Sequence, residues 1–143
     1  MEENYIASGE TVMDRNETKR SRRSQHYRFN VSGELFDEMV QAIAAHSQKA
    51  RRFDSLSKVA MAAIKWAKNQ DFDVEELDNF ITWFKVDGSH CVALTVAPAS
   101  VDVLTEIRSN LSDKIGKKLA VRETLAYVMV SYRAHVEASA TTR

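Results

Sequence analysis

His26-Tyr27-Arg28-Phe29-Asn30-Val31 is the stretch that decides the fold. Tyr27, Phe29 and Val31 alternate with His26, Arg28 and Asn30, the period of two expected of a strand with one buried face. Ser32-Gly33 ends the strand, and Ser32 suits a helix N-cap. From Glu34 the period lengthens. Leu35, Phe36, Met39, Val40 and Ile43 recur at helical spacing, with Glu34, Asp37, Glu38 and Gln41 on the other side. Acids in this first turn match the positive end of the helix dipole. A polar, basic loop follows over Ser47 to Phe53. Asp54 or Ser55 then caps a second helix whose apolar face is Leu56, Val59, Ala60, Ala63, Ile64 and Ala67.

The same order returns about 65 residues later. Val92, Leu94 and Val96 alternate with Cys91, Ala93 and Thr95. Pro98 suits the first position of a helix. Leu104, Ile107, Leu111 and Ile115 form its stripe, and Gly116 suits a C-terminal cap. Leu119, Leu125, Val128, Met129, Tyr132 and Val136 mark a last helix. The chain is therefore expected to be mainly α with short β-strands, as two strand-helix-helix units. An arm over 1–24 ends in Lys19-Arg20-Ser21-Arg22-Arg23, the first unit spans 25–69, and an acidic connection covers 70–88. The second unit and a short tail occupy 89–143.

The connection holds Asp71, Asp73, Glu75, Glu76 and Asp78 with no base among them. Asp73 and Glu76 have capping-box spacing, and Phe80, Trp83 and Phe84 can share a helix face. Asp87-Gly88 between apolar runs also permits a hairpin, so 79–86 reads as helix or strand, with a short helix favoured.

At 143 residues the chain fits one ordinary domain or two very small ones, and its single Cys91 excludes a disulfide framework or a Cys-based zinc site. It has no long apolar run and a polar start, so a cytoplasmic protein with no membrane segment and no signal peptide is expected. Its 20 basic and 20 acidic residues sum to zero, but unevenly. Residues 1–14 carry net −4, residues 15–69 net +7, and residues 70–143 net −3. Such asymmetry points to a partner better than the sum does. The basic arm before the first strand suits a phosphate backbone.

A basic segment, a short strand and two helices resemble the ribbon-helix-helix DNA-binding fold of the Arc and MetJ repressors, over 25–69 and again over 90–137. Two such units in one chain are similar to TraY-type conjugation proteins. One unit of this size buries too little apolar area to stand alone, so two strands pair antiparallel and four helices cover one face of the ribbon. The open face then fits the major groove of double-stranded DNA. On that face His26, Arg28 and Asn30 would contact bases. Arg28 can donate twice to guanine, and Asn30 can pair with adenine. The resemblance also implies that the second helix begins on a phosphate, here with Ser55, Ser57 and Lys58. Lys19, Arg20, Arg22, Arg23, Arg51 and Arg52 lie where backbone contacts are expected. The second unit offers Thr95, Lys117, Lys118 and Arg122 as further contacts, while Ala93 can at most touch a thymine methyl. The units pair either within one chain, or first with first and second with second across a dimer. The apolar outward face of the second strand favours the dimer, and a homodimer or higher oligomer is expected.

No phosphate loop, nucleophile elbow or zinc-binding helix motif occurs, and the four His residues (26, 46, 90 and 135) read as surface or loop positions. Cys91 and His90 are strand neighbours and point to opposite faces. No enzyme, metal, cofactor or small-molecule substrate is expected. The function implied is transcriptional repression or accessory work at a conjugative origin. A protein-interaction module of antitoxin or phage-inhibitor type, engaging a basic partner through the acidic segment, is the alternative.

Overall fold

The computed structural model describes residues 23–83 and 88–141. Strand β1 (Gln25–Val31) leads into helices α1 (Gly33–Ala50), α2 (Leu56–Ala67) and α3 (Val74–Trp83). Strand β2 (His90–Val96) follows, then α4 (Pro98–Ile115) and α5 (Val121–Thr141). The protein is thus mainly helical with one two-stranded antiparallel sheet among the described residues. None of its described helices is long and apolar enough to cross a membrane.

β1 pairs with β2 of the same chain, from Gln25 opposite Val96 to Val31 opposite His90. Of the two pairings the sequence allows, within one chain or across a dimer, the structure has the one within the chain, not the one favoured from the apolar outward face of β2. Alternation survives intact on both strands. Val31, Val92, Leu94 and Val96 are buried, Tyr27 and Phe29 are half-buried against the core, and His26, Arg28, Asn30, Cys91 and Ala93 are exposed.

The helices close over the apolar face around α5, which packs on both α1 and α2. Thr124 through Met129 are buried without a break, so this part of α5 is covered on all sides. Thr124 satisfies its hydroxyl by donating to the Ala120 carbonyl at 3.0 Å. Ala60, Ala63 and Ala67 on α2 are small enough to let neighbouring helices approach closely.

The helix ends follow local chemistry. Ser32 caps α1 by accepting from the Leu35 amide, and Ser55, not Asp54, caps α2 by accepting from Lys58. Pro98 opens α4 at its first turn, and Gly116 closes it at φ +74°, where a side chain is disfavoured. Asp73 precedes α3, but its carboxylate accepts from the Glu75 amide, one position earlier than a capping box would require.

Some apolar positions depart from the expected stripes. Phe36 and Val40 are 37% and 46% exposed, because α1 turns Leu35, Met39, Ala42 and His46 inward instead. Trp83 is 75% exposed while Phe80 of the same helix is buried. The 79–86 segment is helical through Trp83; Phe84, and the rest of 84–87, lie outside the described residues.

Candidate nucleic-acid interface

The solvent face of the ribbon presents three cross-strand pairs. His26 stands opposite Thr95, Arg28 opposite Ala93, and Asn30 opposite Cys91. His26 Nδ1 and Thr95 Oγ1 share a hydrogen bond at 2.8 Å. With the hydroxyl donating to Nδ1, the ring keeps Nε2–H as an outward donor. Arg28 leans diagonally, its Nη1 donating to Cys91 Sγ at 3.6 Å. That weak bond uses one of five guanidinium donors. The methyl of Ala93 leaves the space above it open for the fork of Arg28.

Helix α2 begins against the outer edge of β2. The Thr95 amide donates to Ser57 Oγ at 2.9 Å. The Ala97 amide donates to Met61 Sδ at 3.4 Å, one turn further along. The Ser57 oxygen thus fastens α2 to the ribbon as an acceptor, while its hydroxyl hydrogen is not used in that bond. Ser55 likewise accepts from Lys58 as the cap. The Leu56 and Ser57 amides precede the first helical hydrogen bond and point out of the N-terminus, where an anion is favoured. Lys58 is exposed beside them.

The loop before α2 is held by a buried polar network that sequence reading missed. His46, expected at the surface, is buried on α1. Its Nε2 donates to Asp54 Oδ2 at 2.7 Å, and its Nδ1 meets the Tyr132 hydroxyl at 2.8 Å. A carboxylate has no hydrogen to give, so Nε2 carries the proton, and in the neutral ring Nδ1 accepts from Tyr132. Arg52 donates from Nε to both Asp54 oxygens at 3.0 and 3.2 Å. The Arg52 bonds, then the His46 bond, hold the Asp54 carboxyl below its ordinary pKa. Arg52 is thus committed to Asp54 through Nε. Arg51 is exposed, at φ 59° in the left-handed region, where it closes α1 by donating from its amide to the Ser47 carbonyl.

A second basic group lies toward β1. Arg108 of α4 donates to the Leu119 carbonyl at 2.6 Å, tying down the turn before α5. Burial raises the pKa of the Tyr27 hydroxyl on β1, and the nearby Arg108 charge lowers it in part. The turn so anchored carries Lys117 and Lys118, both exposed, and Arg122 is exposed in the first turn of α5. Glu123 reaches back to accept from the Ala120 amide at 2.8 Å. Arg23 is exposed just before β1. Lys19, Arg20 and Arg22 lie outside the described residues.

The structure therefore brings His26, Arg28, Asn30 and Thr95 onto one face, and sets Arg51, Lys58, Lys117, Lys118 and Arg122 on exposed positions around the covering helices' starts. His90, beside Cys91, turns the other way, its ring tilted against Phe36 with the centroids 5.5 Å apart. Among the described residues no group of three His, Cys, Asp or Glu side chains could hold a metal ion. No family model, curated protein or solved structure matches the chain.

Proposed function

We propose that this chain binds double-stranded DNA by laying its own two-stranded ribbon in the major groove. In this reading 25–69 and 89–143 are two ribbon-helix-helix units that pair within one polypeptide. The observation that carries it is the ribbon's uncovered polar face, with Arg28 and Asn30 side by side on β1. A two-stranded ribbon fits that groove, and these side chains match guanine and adenine edges. The amides at the start of α2 and the bases around the α4–α5 turn would hold phosphates on either side. The biological role this supports is that of a repressor or of an accessory factor at a conjugative origin.

One consequence follows from pairing within the chain. β1 brings two strong base readers and β2 brings Ala93 and Thr95, so a single chain reads an asymmetric site. Selection of the full chain against random duplexes tests this. The expected winner is non-palindromic under one bound copy, and further copies would occupy adjacent sites. Arg28→Ala and Asn30→Ala should each cost about 1–3 kcal/mol against that site and relax preference at one position. Thr95→Ala should change little. Failure to enrich any duplex, or an affinity indifferent to salt, rejects the reading.

A further inference from the structure

A cleft of about 710 Å³, with no ribbon residue in its lining, runs between α2, α3 and α5. Trp66, Phe72, Phe80, Trp83 and Tyr127 line it. Four of these rings form a chain of contacts, Trp66 edge-on to Phe72 at 5.8 Å, and Phe72 and Phe80 each at 5.3 Å from Tyr127. A lining of this size and character is what ligand sites have, a mostly apolar wall with a few polar groups.

The polar groups are Gln70, Asn79, Ser131 and three acids, with no base among them. Asp71, Asp73 and Glu76 share the lining. Asp71 is paired with Lys114, and Asp73 gives one oxygen to the Glu75 amide. Glu76 has no ion-pair partner among the described residues. Burial first, and then the charges of Glu76 and Asp73, push the Tyr127 hydroxyl up to about 12. Ser131 lies beside the hydroxyl and lowers it in part, by more than either carboxylate raises it. Trp66 Nε1 and Tyr127 Oη, on two of the lining rings, are the buried side-chain polar atoms without a hydrogen bond among the described residues.

Aromatic faces with a negative rim select a cation that also has an apolar or planar body, which describes the guanidinium of arginine. The cleft is larger than one side chain, and the exposed Trp83 on its wall resembles the aromatic anchors of protein interfaces. We propose that this cleft binds an arginine-bearing basic segment of a partner protein. The site is separate from the ribbon and stands whether or not the ribbon binds DNA.

Trp66 and Trp83 are the only two tryptophans in the chain, so intrinsic fluorescence reports on the cleft. The full chain is titrated with the peptide acetyl-Gly-Arg-Ala-Arg-Gly-amide and with its citrulline analogue, which keeps the shape and loses the charge. The arginine peptide should bind, and the citrulline peptide should bind at least about tenfold more weakly. Glu76→Gln and Trp83→Ala, both at exposed positions, should each weaken the arginine peptide by about fivefold with unchanged circular dichroism. Equal binding of the two peptides, no binding at about 1 mM, or indifference to both substitutions overturns the proposal. Binding of acetylarginine amide as tight as the peptide would give the cleft to a small cation and overturn the partner segment. So would a tenfold or greater gain in peptide affinity on deleting residues 1–22, which would point to the chain's own Lys19–Arg23 run.

Discussion

Asp54 is the point at which three segments meet. Its carboxylate takes hydrogen bonds from His46 of α1 and from Arg52 of the loop, and through His46 it reaches Tyr132 of α5. Its pKa is depressed, so the stability it adds is complete above the ordinary carboxylate value of about 3.9 and drains away as pH falls toward the folded value. Asp54→Asn should therefore unfold with a flatter acid limb below about pH 4 than the parent, read as the urea midpoint against pH. An unchanged acid limb would remove Asp54 from the account. Tyr132→Phe leaves the buried His46 Nδ1 without its partner and should cost about 1–2 kcal/mol, with the denaturant slope unchanged. His46 was legible in principle, because Leu35, Met39, Ala42 and His46 follow one helical stripe. A polar side chain on such a stripe reads as a surface residue unless its partners are known, and both partners come from elsewhere in the chain.

At the scale of elements, alternation settled the strands, since a slip of one residue would turn every apolar side chain to water. Helix stripes were less decisive. On α1 the apolar set is wide enough to face two ways, and contact with α5 chose the face that leaves Phe36 and Val40 at the surface. The two glycines beside these elements differ in a way sequence alone could not show. At Gly116 a Cβ would meet nothing within 4 Å, so Gly116→Ala carries only the left-handed backbone penalty, about 1 kcal/mol. At Gly88 a Cβ would stand 2.3 Å from the Val31 carbonyl oxygen, and the backbone at the end of the ribbon would have to move. Gly88→Ala should cost more, about 2–3 kcal/mol, and the comparison of both variants by urea unfolding checks the order. Equal losses would mean that the approach of Gly88 to Val31 does not constrain the ribbon.

For the molecule as a whole, what the sequence withheld was the choice of partner for each strand. Two similar strands can pair within a chain or between chains with the same local pattern, and only packing of the connecting helices around α5 decides. Once β1 pairs with β2, the neutral total charge no longer describes what DNA would meet. Two pairs among the exposed bases then stand out, Arg51 and Lys58 about the start of α2, and Lys117 and Lys118 at the turn tied to Leu119 by Arg108. If the ribbon lies in the groove between them, each group faces one phosphate strand. Each phosphate contact adds about 0.9 to the slope of log affinity against log salt. Lys117→Ala with Lys118→Ala, and Arg51→Ala with Lys58→Ala, should then each reduce that slope by about 1–2, similarly in the two pairs. These side chains are exposed, so stability should stay within about 0.5 kcal/mol and the slopes can be compared directly. A full loss confined to the Arg51 and Lys58 pair would mean that only the α2 edge of the ribbon meets the backbone. Equal losses are what a ribbon gripped from both edges by one chain requires.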